Sequence, residues 1–341
     1  MRNSNPFSWF LDPERRFNVA MAVASGVLLG AAFPPSPLYS LAYVAFIPFF
    51  VLFDRLERWG QVIRFSYLSL FAFNLVSLYW VGGFSHMRDG YLMLSGSALV
   101  LLHPAFFLVG ILPAWVVRQR LGRTAFFAAF PLTWIGFEYL HSLTEFAFPW
   151  VTVGNSQAYD LARSQVVEYT SVYGLSFLVI VFNILAYSIL VKLARKDWSF
   201  RSQSLWIALG TLMVFYWLPL VYGEMQIARY SETGNGVPVR VGFVQPNIDP
   251  FEKWGEGSVS RGESFRRQFH TLIEKTLPLQ KDSVDLVVWP ETAVPFHLLH
   301  AVNAPSLEAL QRVIDSTGVG VFTGIPHAVY YDSATAPASA E

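Results

Sequence analysis

The chain has 341 residues, of which 53% are hydrophobic and 14% charged, with 30 Phe and 11 Trp; ordinary soluble domains carry roughly 25% charged residues. Its 24 Lys and Arg balance 24 Asp and Glu, so no basic excess supports nucleic-acid binding. With no cysteine, disulfides, thiolate metal sites and a thiol nucleophile are excluded within these residues.

Residues 1–15, with Arg2, Pro6 and Pro13, lack the short apolar core and small-residue cleavage site of a secretory signal, so the first hydrophobic stretch is expected to be a retained anchor. Seven stretches approach the apolar length of about 20 residues that a bilayer crossing needs: 17–33, 38–53, 65–81, 91–117, 124–141, 166–193 and 205–222. The stretch 91–117 holds Pro104 and Pro113 and reads as one kinked helix rather than two. Residues 1–222 are therefore predicted to form a polytopic α-helical membrane domain.

Lys and Arg near span ends are retained on the cytoplasmic side. With seven spans, thirteen of them (Arg2, Arg15, Arg16, the groups around Arg55, Arg118 and Lys192, and Arg201) fall on one side, against only Arg88 and Arg163 on the other. This alternation predicts a cytoplasmic N-terminus and an outer location for everything after Tyr222.

Asn74, His103, Glu138, His141, Glu168 and Asn183 lie in or near the spans. Ionisable groups at membrane depth are costly and are by default candidates for function. Glu138 and His141, three residues apart, share a helix face and are expected to be able to pair. The plainer expectation, and the favoured one, is a helix-packing hydrogen bond or a place at the interface.

A polar, turn-rich connector spans 223–236, ending in Thr233-Gly234-Asn235-Gly236. Beyond it, 237–244, 285–289 and 318–323 read as strands. Phe265, Phe269, Leu272, Ile273 and Leu277 repeat at helical spacing, as do Leu307, Leu310, Val313 and Ile314 after Pro305. Strand, helix, strand, helix, strand predicts a βαβ-type sheet over 237–341. Active groups in such sheets gather past the carboxyl ends of strands. Glu291, in Trp289-Pro290-Glu291-Thr292-Ala293, stands at that place beside an apolar Trp expected to shield it, which suits a general base.

Trp289-Pro290-Glu291-Thr292-Ala293 after an Asp-Leu-Val-Val strand is similar to the glutamate motif of the nitrilase superfamily. Joined to a multi-span N-terminal region, it resembles the bacterial apolipoprotein N-acyltransferase family. Further matches are Gln245-Pro246-Asn247-Ile248 leading to Lys253-Trp254, Phe148-Pro149-Trp150 with Gly154-Asn155-Ser156-Gln157, and Thr323-Gly324-Ile325-Pro326. The resemblance implies that 237–341 is the N-terminal part of an αββα nitrilase-like domain facing the periplasm from the bacterial inner membrane. It implies acyl transfer from a phospholipid to the α-amino group of a diacylated lipoprotein by a monomeric enzyme, through a Glu-Lys-Cys triad and a cysteine thioester. Glu291 would be the general base, and Trp254 would lie on a loop near the lipid entrance. Asp332, in Tyr330-Tyr331-Asp332-Ser333, would contact substrate, although the family usually has Asn there.

The chain departs from that pattern in having no cysteine and no residue matching the lysine before Glu341. The resemblance therefore implies an incomplete nitrilase-like domain that is inactive by itself. Ser258, Ser264 and Ser333 sit in no nucleophile elbow with a paired His. Three rival readings are a non-catalytic membrane scaffold, a transporter using Glu138, His141 and Glu168, and a metal hydrolase using His297, His300, His327 and Glu291. No metal, nucleotide or other cofactor is implied.

Overall fold

Asp12 accepts the Glu14 amide through its side chain, and Pro13 follows at the first turn, so the first helix, α1 (Pro13–Ala31), opens on a capped N-terminus. The computed structural model describes residues 12–82, 90–232, 236–248, 253, 260–291, 293–331 and 334–337. They belong to two units, Met1–Thr233 and Gly234–Glu341.

The first unit is helical: α2 (Ala42–Arg55), α3 (Trp59–Leu78), α4 (Gly90–Phe106), α5 (Leu108–Ser142), α6 (Leu161–Ser164), α7 (Val167–Ala194) and α8 (Gln203–Glu232) follow α1. Gly26 and Gly30, four residues apart, let α1 lie directly on α3. A Cβ built on Gly26 would stand 2.0 Å from the Ser69 carbonyl oxygen, and one on Gly30 would stand 2.7 Å from Val76 Cβ. On α2, Phe46, Phe49, Phe50 and Phe53 recur at helical spacing and are all buried. They interleave with the second half of α5: Phe46 meets Trp134 at 5.2 Å between ring centroids, Phe50 meets Phe130 at 5.3 Å and Phe53 meets Phe126 at 5.4 Å.

Two polar ties fix α2 among its neighbours. Asn183 of α7 accepts the Phe46 amide at 3.0 Å and donates to the Ala42 carbonyl at 2.8 Å. Asp54 accepts from Arg118 at 3.2 Å, from Arg123 at 2.8 Å and from the Tyr187 hydroxyl at 2.7 Å. Arg118 and Arg123 reach one carboxylate because Gly122, at φ 87°, breaks α5 between them.

Among the described residues, four helical segments are long and apolar enough to cross a membrane: Trp59–Gly82, Gly90–Leu121, Val167–Ala194 and Gln203–Ser231. The first contains the expected span 65–81, and the last two match 166–193 and 205–222. The second covers the predicted kinked span 91–117, and its regular helix is interrupted at Phe107 between α4 and α5. The other three predicted spans lie on helices outside this set. At about 1.5 Å per residue, the 14 residues of α2 reach less than the ~30 Å hydrocarbon core. Glu14, Arg15 and Arg16 take up the first turn of α1 and shorten its apolar run, and Glu138 interrupts the one after Gly122. Helix α8 also continues past Tyr222 to Glu232, through most of the connector-like segment.

The second unit contains β1 (Val241–Phe243), α9 (Arg261–Thr276), β2 (Leu286–Val288), α10 (Ala304–Thr317) and β3 (Gly320–Phe322). The strands form a parallel sheet in the order β1-β2-β3, with Gly242 opposite Val287 and Val287 opposite Val321. Ser260 caps α9 by accepting the Glu263 amide, and Pro305 lies in the first turn of α10. Phe269 and Leu272 of α9, Leu310 of α10 and Val287 of β2 share one core with Trp289 and Val294.

The close approach at Gly26 generates a stability prediction. Gly26→Leu should overpack α1 against α3 and lower stability by about 2 kcal/mol, whereas Gly136→Ala, with open space around its Cβ, should change it by no more than about 1 kcal/mol. Thermal unfolding of the two variants in detergent tests the difference. Asp54→Ala leaves two partly buried guanidinium groups without their carboxylate and should cost about 1–3 kcal/mol. The same assay reads that loss.

Candidate functional site

In the second unit, Trp289 leaves β2 with its amide donated to the Phe322 carbonyl of β3 at 3.0 Å. The Ala293 amide returns to the Pro290 carbonyl at 3.2 Å, closing a tight turn with Glu291 at its second position. Glu291 is exposed at the turn, past the carboxyl end of the central strand. The expected shielding by Trp289 is not seen. The indole turns into the core, donates to Thr276 Oγ1 at 2.9 Å and meets Phe269 edge-on, because its large apolar surface is better satisfied there than over a solvated carboxylate.

Glu291 lines a cavity of about 210 Å³ with Gln245, Asn247, Ile248, Lys253 and Gln268. The structure thus brings the Gln245–Ile248 segment after β1 to the Glu291 turn after β2. Asn247 takes φ 56°, a left-handed conformation that Asn tolerates better than most residues, and so turns the chain there. Lys253 is held through its carbonyl, which accepts from Gln268 Nε2 at 2.7 Å. Gln268 also donates to Ser264 Oγ at 3.0 Å, and both side chains are buried on α9. Ser264, a candidate nucleophile by residue type alone, is therefore part of the support for this wall. The sequence reading gave Gln268 no role; its spacing of four from Ser264 on an amphipathic helix was the available signal.

Trp254, Asp332, Ser258 and Ser333 lie outside the described residues. His297 and His300 occupy a turn rather than a helical face: the His300 amide bonds to the His297 carbonyl at 3.0 Å, and His300 Nδ1 faces the Val302 amide. Among the described residues no three His, Asp or Glu side chains converge as a metal site.

In the first unit, Glu138 is buried, and its Oε1 accepts from Trp134 Nε1 at 2.9 Å and from the Val153 amide at 2.8 Å. Its partners are thus a same-face Trp and the loop after α5, not His141. The Val153 amide is a loop donor without a helical acceptor, so the carboxylate satisfies it. Further along that loop, Gly154 donates to Ser176 Oγ at 2.9 Å, and Asn155 Nδ2 donates to the Pro149 carbonyl at 2.8 Å. These bonds give the Phe148-Pro149-Trp150 and Gly154-Asn155-Ser156-Gln157 motifs one fixed shape. His141 instead lies against His103, 5.3 Å between ring centroids, and His103 Nδ1 meets Asn74 Nδ2 at 3.0 Å. Glu168 is exposed and accepts from the Tyr222 hydroxyl at 3.2 Å. Glu138 and Glu168 therefore bind separate partners rather than lining one polar path. A larger cavity, about 600 Å³, lies near the N-termini of α1 and α3 beside Arg15, Arg58 and Arg64.

Residues 25–185 match the model of the apolipoprotein N-acyltransferase N-terminal domain. The chain is 31% identical over 320 residues to apolipoprotein N-acyltransferase of Chlorobaculum tepidum, covering 91% of this chain and 55% of that protein. It is 30% identical over 288 residues to that of Geobacter metallireducens, covering 83% and 52%, and 29% identical over 316 residues to that of Pseudomonas aeruginosa, covering 90% and 57%. The chain thus spans about half the length of the curated relatives it matches. By this domain and these relatives, the chain belongs to the apolipoprotein N-acyltransferase family.

Proposed function

We propose that the chain supplies the membrane domain and the Glu291 part of the active site for N-acylation of lipoproteins. The observation that carries this reading is the cavity past the parallel strands, where Glu291, the Gln245–Ile248 segment and Lys253 line one space. The names of the relatives support an acyl transfer, and the apolar helices suit a lipid donor.

In this reading Glu291 takes the proton of a thiol, and the thiolate attacks an ester carbonyl of a phospholipid. The tetrahedral oxyanion collapses to a thioester, and the lysophospholipid alkoxide leaves with the proton from the glutamic acid. The α-amine of a diacylated lipoprotein then attacks the thioester, the glutamate taking the amine proton and returning it to the thiolate. Since the 341 residues contain no cysteine, the thiol must come from outside them, and the chain alone is inactive. Trp254 and Asp332 are proposed to contact lipid and acceptor, and the working unit is proposed to be a monomer without cofactor.

The membrane arrangement belongs to the same proposal: seven crossings in a bacterial inner membrane, N-terminus in the cytoplasm, residues after 222 in the periplasm, and 237–341 as the first part of an αββα nitrilase-like domain. Arg163, one of two outer-side exceptions to the charge rule, supports it. Its guanidinium is buried against Asp160, donates to the Tyr216 carbonyl at 3.1 Å and stacks on the Tyr216 ring. A neutralised cation of this kind exerts little pull on topology.

Two measurements test the proposal. Fused to the C-terminal remainder of the Chlorobaculum tepidum relative, the chain should N-acylate a diacylated lipopeptide, seen as an added acyl mass. Glu291→Gln should cut that rate by about 10²–10⁴-fold; an undiminished rate would exclude Glu291 as the base. Because the chain has no cysteine, single substitutions report sidedness cleanly. Glu145→Cys should react with an impermeant maleimide in spheroplasts and Ser199→Cys should not, with the reverse pattern inverting the topology.

A further inference from the structure

Asn74, His103, Glu138 and His141 carry four of the eight buried side-chain atoms that have no partner among the described residues: Asn74 Oδ1, His103 Nε2, Glu138 Oε2 and His141 Nε2. Half of such atoms in one neighbourhood marks a site rather than scattered packing defects. Glu138 and His141 also line a void of about 10 Å³ walled by Phe107, Phe137, Phe148 and the loop at Val151 and Thr152. His103 stands behind that wall, its ring 5.1 Å from Phe107, 5.3 Å from His141 and 5.6 Å from Phe148.

The chemistry of the free atoms defines the ligand. Oε1 of Glu138 is already used by Trp134 and Val153, so Oε2 remains to accept. With Asn74 Nδ2 donating to His103 Nδ1, the neutral ring carries its hydrogen on Nε2 and remains to donate. Glu138 and His141 both line the void, a carboxylate acceptor and an imidazole nitrogen together suit a molecule that can donate and accept, and the void has room for about one water-sized group. A metal ion is not suited, because no three ligating side chains converge there among the described residues.

We propose that this void is a specific water site, in which one water donates to Glu138 Oε2 and is held by His141 Nε2 with the His103–Asn74 pair behind it. The water completes the coordination of the carboxylate that fixes the Phe148–Gln157 loop, so that α3, α4, α5 and the loop are joined by one polar network within an apolar unit.

Millisecond hydroxyl-radical labelling of the chain in nanodiscs, read by mass spectrometry, tests this, because radiolysis of a bound water oxidises the side chains around it. Phe107 and Phe137, 2% and 6% exposed, should be labelled, while Phe130, 0% exposed, should not. Glu138→Leu should reduce Phe107 labelling by about tenfold, and Glu138→Gln, which keeps an acceptor for Val153 and a polar group facing the void, should preserve it. Phe107 and Phe137 as silent as Phe130, or labelling unchanged by Glu138→Leu, would overturn the site. If Glu138→Leu does not fold, the comparison of Phe107 with Phe130 in the unaltered chain decides alone.

Discussion

A buried polar group must find its partner inside the protein, and in the helical unit this requirement decides which elements are tied to which. Aromatic rings of α2 and α5 interleave in the core, yet rings at 5–6 Å tolerate sliding and rotation. Hydrogen bonds do not. Asn183 reads the first turn of α2, Asp54 collects two arginines and a tyrosine from α5 and α7, and Glu138 reaches the amide of Val153. Each is a directional tie between segments far apart in sequence, so register follows from a few polar atoms while cohesion follows from many apolar ones.

The same logic explains why the loop after α5 keeps a defined shape. A loop beside apolar helices has backbone groups that water cannot fully serve. Glu138, Ser176 and the Asn155 side chain take over that service at Val153, Gly154 and Pro149. The sheet unit solves its problem differently. There the parallel strands satisfy one another, and the exposed turn after β2 is free to present Glu291 to solvent. The buried carboxylate holds structure, and the exposed one is left open to solvent.

Much of this was legible in the sequence. The periodicity of Phe265, Phe269 and Leu272 and the Pro305 start fixed α9 and α10 closely, since both helices bury one apolar face. The three strands were found where β-branched runs lie, though each was read too long, because pairing in this unit extends over only three residues. Glu291 and the Gln245–Ile248 segment were found as motifs, and the fold supplied the reason they belong together. What the sequence could not show was partner choice. Glu138 and His141 share a face, but a loop amide fifteen residues on competes better for the carboxylate than a neighbouring ring does, and no local pattern encodes that. Span counting by apolarity and by helix length differ for a related reason: α2 is apolar enough to read as a span, but its 14 residues leave it outside the four long apolar helical segments of the described residues, and its buried aromatic face contributes to a helical core.

Gln268 shows how little of a functional wall need be chemically conspicuous. A neutral amide on α9 has no catalytic signature, yet it fixes the carbonyl of Lys253 beside the cavity that Glu291 lines. Trp254 follows Lys253 directly. Ser264 Oγ donates to the same carbonyl at 3.4 Å, so two side chains of one helix hold that backbone point. Helix α9 therefore shapes this wall through neutral side chains, and Glu291 is the acidic group among the described residues that line the cavity.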